Sequence, residues 1–224
     1  MRKKLLLLAL LAACAPAAVQ TPGPQGPPQP QLAQQLVTAT ALQRPLQIVF
    51  AWTFTEENAR FSGRGATRVE PPYRARLDLF GPRGETYLAA AAVGDTLRLP
   101  PNMATQLRSI VPPVALLWTA LGVLRAPEGA TLSSTAQRGD TLVLGYARGD
   151  ERWSFRSVAG RLQYAEWNGP NSGRRTVELR GTGAFNLPAV AVYRDWAAFR
   201  ELTLTLEQAN EAASFSADIW FPGQ

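Results

Sequence analysis

Histidine is absent from this chain, its two lysines are Lys3 and Lys4, and its single cysteine is Cys14. Those gaps exclude the common catalytic kits. Without histidine there is no Ser-His-Asp triad and no Cys-His pair. With lysine confined to the N-terminal tip, no Ser-Lys dyad or Schiff-base lysine is available to a folded domain. Zinc would have to do without imidazole and thiolate, its usual ligands. A lone cysteine forms no internal disulfide, so any domain here is held by its own core. A carboxylate mechanism, or a cation held by oxygen atoms, is all that stays open. The balance points to a binding protein with no cofactor. Charge adds little: of 23 basic residues against 17 acidic ones, Arg2, Lys3 and Lys4 sit at the extreme N-terminus and the rest are arginines spread along the chain. A nucleic-acid footprint needs basic residues gathered on one face, so no such partner is expected.

What is present begins with a processing signal. A basic tip, Arg2-Lys3-Lys4, is followed by an apolar run from Leu5 to Ala13. That is the build of an export signal, and it is too short to span a bilayer, which takes about 20 apolar residues. Leu11-Ala12-Ala13-Cys14 resembles the lipobox of bacterial lipoproteins, in which residues 1–13 would be removed and Cys14 acylated. An ordinary signal peptide with a chance cysteine is the alternative, and the position of the sole cysteine argues against it. Residues 14–35 are rich in Pro, Gln, Ala and Gly and read as an extended tether. Residues 36–224 read as one domain without internal repeats, opening on a short helix over Leu36–Leu46.

From Leu46 the pattern has the period of a strand. Leu46, Ile48, Phe50, Trp52 and Phe54 share one face, with Gln47, Val49, Ala51 and Thr53 on the other. The next strand, through Phe61 and Val69, carries Gly63 and Gly65, which signal strong curvature or a close backbone approach. Tyr73–Leu79 alternates, Gly81-Pro82-Arg83-Gly84 turns, Glu85–Val93 returns, and Gly94-Asp95 leads into Thr96–Leu99. Then the rhythm breaks. Val114–Leu124 has no charge and no alternation, and Pro112-Pro113 suits a helix start. A helix apolar on nearly every side has to be covered on nearly every side. The plain reading is a core helix, and the sharper one is a plug or lid over the mouth of a β structure. Further strands are expected at Ala130–Gln137, Thr141–Arg148, Glu151–Val158, Arg161–Trp167, Thr176–Gly181, Ala189–Arg194, Phe199–Glu207 and Ala213–Phe221. Short strands joined by Gly/Asp turns argue for an antiparallel sandwich or barrel.

About a dozen strands, with one apolar helix after the fifth, resemble the LolA/LolB family of lipoprotein carriers. Two stretches carry the likeness. Tyr73-Arg74-Ala75-Arg76-Leu77-Asp78-Leu79 with its Gly-Pro-Arg-Gly turn is similar to the LolB hairpin. Val111-Pro112-Pro113-Val114-Ala115-Leu116-Leu117-Trp118, with Leu121-Gly122, is similar to the lid helix. The resemblance implies a mainly β fold: a single curved antiparallel sheet forming an incomplete barrel, with a short apolar lid or plug helix. It implies no enzyme but a monomeric carrier of acylated lipoproteins or lipids, served by a soluble periplasmic LolA-like partner. The lipobox points to the LolB side, a protein held to the membrane by lipid on Cys14. Ala15 after the cysteine, by resemblance to lipoprotein sorting, implies the periplasmic face of the outer membrane.

An acyl carrier needs an apolar concave face large enough to hide fatty tails, each buried CH₂ being worth about 0.8 kcal/mol. Phe50, Trp52, Phe54, Leu77, Leu79, Trp118 and Leu121 are the expected lining, and each fits a closed core equally well. Phe80, Pro82 and Arg83 form the expected membrane-facing turn, where Arg83 stands at the family's exposed leucine. A structural or assembly lipoprotein is the competing reading, working through protein contacts at Trp153, Trp167 and Trp196. An enzyme built on Asp150 and Glu151 is the weakest, because a solvated pair in a turn explains them.

Overall fold

The computed structural model describes residues 26–101, 104, 111–170 and 173–222. The export signal, Cys14 and most of the tether lie outside the described residues. Helix α1 runs Pro30–Thr40 with proline in its first turn, where a missing N–H costs nothing. It therefore starts inside the stretch read as tether and stops well before the expected Leu46. Ala33, Leu36 and Val37 explain the shift: they fall on one side at helical spacing and pack into the core. The segment ahead of α1 is fastened too. Thr135 donates its backbone N–H to the Gly26 carbonyl (3.3 Å), and Gln29 N–H donates to Thr135 Oγ1 (3.0 Å).

Twelve strands follow: β1 (Leu46–Glu56), β2 (Ala59–Glu70), β3 (Arg74–Phe80), β4 (Thr86–Val93), β5 (Thr96–Arg98), β6 (Thr131–Arg138), β7 (Thr141–Arg148), β8 (Glu151–Val158), β9 (Arg161–Asn168), β10 (Arg174–Arg180), β11 (Val190–Asp195) and β12 (Arg200–Glu211). They form one antiparallel sheet in the order β5-β4-β3-β2-β1-β12-β11-β10-β9-β8-β7-β6. Strands neighbouring in sequence neighbour in space, except that β1 pairs β12 while β5 and β6 end up as the two open edges. A barrel has been left unclosed between β5 and β6, as the mainly β, incomplete-barrel reading expects. Helix α2 (Val114–Ala120) lies in the connection across that gap. It is shorter than the expected Val114–Leu124. Gly122, at φ 77°, stops it by donating its N–H to the Thr119 carbonyl (2.7 Å).

Packing in the β1–β4 third of the sheet depends on two glycines. Gly63 and Gly65 occur where β2 must pass under large rings. A Cβ on Gly65 would lie 2.4 Å from the Phe50 ring, and one on Gly63 would lie 2.0 Å from the Phe80 carbonyl oxygen. The sequence reading of close approach holds at both. On the same concave face, at the other half of the sheet, α1 and α2 lie against β7–β11 in a second core of Leu116, Leu144, Phe155 and Val177. The clusters of buried apolar residues all fall within residues 33–220, so the chain from Gly26 onward carries its own core.

One expected strand is absent. Residues 213–221 do not extend the sheet, because both edges of β12 are already taken by β1 and β11. The segment instead crosses the outer face of β3 and β4 and makes a 3₁₀ turn at Ala217–Trp220. Arg76 and Arg98 donate to the carbonyls of Ile219 (2.9 Å) and Trp220 (3.1 Å), and the Trp220 ring is buried. Beneath it, Asp78 accepts from Arg76 and Arg68 in a largely buried ion cluster.

Candidate functional site

Where α2 crosses the gap it does not fill the concave face. A cavity of about 410 Å³ remains between the helix and strands β1–β4 and β10–β12. Small residues leave the room. On β3 and β4 the inward positions at the deep end are Ala75, Leu77, Ala90 and Ala92, cross-paired as Leu77–Ala90 and Ala75–Ala92. On β11 the deep inward residue is Ala191. The helix contributes Leu116, Leu117 and Ala120, with Leu121 just beyond its end, and the roof continues through Val111 and Pro112. No charged side chain borders the cavity among the described residues. The Trp52 indole N–H is kept out of it, donating to the carbonyls of Arg64 (3.0 Å) and Phe80 (3.1 Å).

Of the lining expected from sequence, Trp52, Phe54, Leu77, Leu79 and Leu121 border this space, and Phe50 and Trp118 do not. Phe50 lies on the same face of β1 but its ring folds down over Gly65 into the cluster of Leu46, Ile48 and Val69. Trp118 points off the far side of α2, against Ala92, Val123 and the edge of Tyr73. Both are core residues. Sequence reasoning missed Tyr193, Leu202 and Leu204, as well as Phe61 and Tyr87. The strands that carry them were expected, but a strand pattern does not say which inward residues meet open space.

The cavity reaches the end of the sheet formed by the β1–β2, β3–β4 and β11–β12 turns, since β1, β3 and β11 all run that way. Phe61 and Tyr87 stand there, about half exposed, with Tyr87 edge-on to Trp52 at 5.7 Å. The same end carries Trp196 and Phe199, the latter 79% exposed. In the β3–β4 turn Pro82 and Arg83 are exposed, and the turn is closed by Gly84 N–H donating to the Gly81 carbonyl (3.0 Å). Phe80 is not part of that tip: it is the last residue of β3, half-buried on the face opposite Leu79. Among the tryptophans read as exposed edges, only Trp196 is one. Trp153 is buried in the core and Trp167 is half-buried against it at 6.0 Å.

A polar layer caps the apolar one on four adjacent strands. One step beyond Phe54, Leu202, Tyr193 and Val177, towards the turns, the same face carries Glu56, Arg200, Asp195 and Arg175, paired across the strands in that order. Arg200 bonds Glu56 (2.5 Å) and Arg175 bonds Asp195 (2.9 Å). Below them, the Tyr193 hydroxyl is buried without a hydrogen-bond partner among the described residues, and burial pushes its pKa up to about 12. A second cavity, about 440 Å³, lies at the opposite end between the α1–β1 connection, the β8–β9 turn and the β10–β11 loop. Arg44, Arg161 and Asn186 border it, so it is too polar to hide an acyl tail. Asp150 sits in an exposed turn, and Glu151 is spent on Arg148 at 2.7 Å. No group of three or more potential metal ligands occurs among the described residues.

Searches of the sequence against family models and against curated proteins give no match. Solved structures do. A LolA superfamily protein from Nitrosomonas europaea superposes with a TM-score of 0.57 at 14% identity, covering 84% of this chain and 96% of that one. A domain described as an outer membrane lipoprotein-sorting protein, from Vibrio parahaemolyticus, gives 0.51 at 8% identity over 84% and 94% of the two chains. A DUF1329 family protein from Desulfovibrio piger gives 0.52 at 6% identity over 88% and 98%. At these identities the likeness is one of fold. The chain has a LolA-like fold.

Proposed function

On this LolA-like fold we propose that the protein is a non-enzymatic carrier which shelters the acyl chain of a lipid or lipoprotein beneath α2. The observation that carries the reading is the unfilled apolar cavity, whose alanine-rich wall is bordered by no charged side chain among the described residues. Its size lies at the low end for small-ligand sites, about 300–1,000 Å³, so it suits one chain better than three. Ten sheltered methylenes would contribute roughly 8 kcal/mol before ordering costs, enough for useful affinity. The similarity to a domain described as an outer membrane lipoprotein-sorting protein supports the same class of cargo. Lipid on Cys14 holds the domain to the periplasmic face of the outer membrane, on the LolB side of the family, and a soluble LolA-like protein delivers the cargo. The end bearing Pro82, Arg83, Phe61 and Tyr87 faces the bilayer.

The test is native mass spectrometry of the chain from Gly26 onward with an acylated lipopeptide and its non-acylated control. Stoichiometric uptake of the acylated form alone is expected. A second reading, a structural lipoprotein that works through protein contacts, draws on the exposed Trp196 and Phe199. Uptake of neither peptide would overturn the carrier and leave that second reading.

A further inference from the structure

Six large apolar side chains are exposed among the described residues, and four of them, Phe61, Tyr87, Trp196 and Phe199, stand at the end of the sheet that the cavity reaches. Three of the four are engaged. Phe61 and Tyr87 border the cavity, and Trp196 lies against the Arg174 guanidinium (5.1 Å) with its indole N–H donated to Thr176 Oγ1 (3.1 Å). Phe199 projects from the β11–β12 turn at 79% exposure, with its backbone at φ 51°, in the left-handed region. A bulky residue is disfavoured there, where glycine or asparagine is the usual occupant. The turn is held by Ala198 N–H donating to Asp195 Oδ1 (3.2 Å) and Trp196 N–H donating to the Arg174 carbonyl (3.0 Å). Exposure and backbone strain both count against folding, so this ring calls for a partner outside the fold.

The chemistry of the tip points to hydrocarbon. Trp196-Ala197-Ala198-Phe199 carries no charge, whereas other turns at this end present Glu57, Arg83 and Asp150. Tyr87 and Trp196 beside it are of the two residue types that settle at the polar boundary of a bilayer. The chain outside the described residues is long enough for the contact. Gly26 is fastened at Thr135, which is about 14 Å along β6 from Thr131, and Thr131 is at this same end of the sheet. The stretch from Cys14 to Gly26 reaches at most about 40 Å when fully extended, which exceeds that separation.

Building on the reading that this end faces the bilayer, we propose that Phe199 is the residue that enters it. The β11–β12 turn, rather than the β3–β4 turn with its Arg83, docks the cavity end against lipid. Phe199 sinks below the head groups, Trp196 and Tyr87 lie at their level, and an acyl chain passes between cavity and membrane beside Phe61.

The test is flotation of the chain from Gly26 onward with phosphatidylcholine vesicles, with and without phosphatidylglycerol. The wild type is expected to bind both. Phe199→Asn, which suits the turn, is expected to bind about ten-fold more weakly, with a Tm equal to or above that of the wild type. Phe199→Trp keeps the binding, and brominated acyl chains quench its fluorescence more than they quench the wild type. Both variants take up acylated lipopeptide from solution as the wild type does, so failure of the insertion and failure of the carrier are read separately. Binding undiminished by Phe199→Asn overturns the proposal. So does binding that needs phosphatidylglycerol and disappears at high salt, because arginines rather than the ring would then hold the surface. Absence of vesicle binding by the wild type overturns it as well, and self-association that Phe199→Asn abolishes would then assign the turn to a second copy of this chain.

Discussion

Replacing Ala90 by leucine distinguishes a cavity from a core. Ala90 is 6% exposed, pairs with Leu77 across β3–β4, and borders the open space beneath α2. In a filled core, three added carbons would push neighbours off their rotamers and cost about 1–3 kcal/mol. Here the carbons have room. At about 0.8 kcal/mol each they contribute roughly 2.4 kcal/mol, and ordering the leucine takes back about 0.5–1. The net is a gain of about 1.5 kcal/mol, or a Tm higher by about 3–6 °C for a domain of this size. The same side chain occupies the space of about three ligand methylenes, so acyl binding falls roughly fifty-fold. Thermal unfolding followed by circular dichroism reads the first effect, and displacement of a fluorescent fatty acid reads the second. A variant destabilised by about 1 kcal/mol or more, with affinity unchanged, would refute the reasoning, because both signs follow from the same empty volume.

Two further outcomes follow from the packing. Gly63→Ala sets a methyl group 2.0 Å from the Phe80 carbonyl, and backbone cannot swing aside as a side chain can. We expect a loss of about 3 kcal/mol in denaturant unfolding; a loss below about 1 kcal/mol would mean that β2 and β3 are less closely apposed. Alkaline pH tests the tyrosines. Burial, the largest cause in both, raises Tyr164 and Tyr193 to about 12, and the hydrogen bond to Glu166 adds to the shift of Tyr164. A phenol whose folded pKa lies above its unfolded value of about 10 contributes stability that is present below pH 10 and lost as pH climbs towards 12. The denaturation midpoint should fall across that window, with a shallower fall in Tyr193→Phe; identical slopes would contradict the burial of that hydroxyl.

Much of this molecule is local, and what is local could be read from the chain. Alternation from Leu46 to Phe54, the Gly/Asp turns and the charge-free stretch after Pro113 placed β1, the hairpins and α2, because a strand or a turn is decided by residues within a few positions. Thr141–Arg148 and Glu151–Val158 were bounded correctly for that reason. The missing histidine and the lone cysteine narrowed the chemistry before any folding was considered. The errors occur where distant residues decide. Residues 30–35 are helical because strand β9 and its neighbours offer Ala33 and Leu36 an apolar bed. Residues 213–221 carry a strand-like pattern but find no free edge beside β12, so they lie across β3 and β4 instead. Phe50 and Trp52 are adjacent inward residues with the same pattern. Only the glycine under one and the open space beside the other make the first core and the second wall. The cavity is the clearest case. Ala75, Ala90, Ala120 and Ala191 are scattered along the sequence and none is marked there as lining, and an empty volume exists only because register and the helix crossing bring them together. A strand is a property of neighbours in the chain, whereas a void is a mismatch of volumes among neighbours in space.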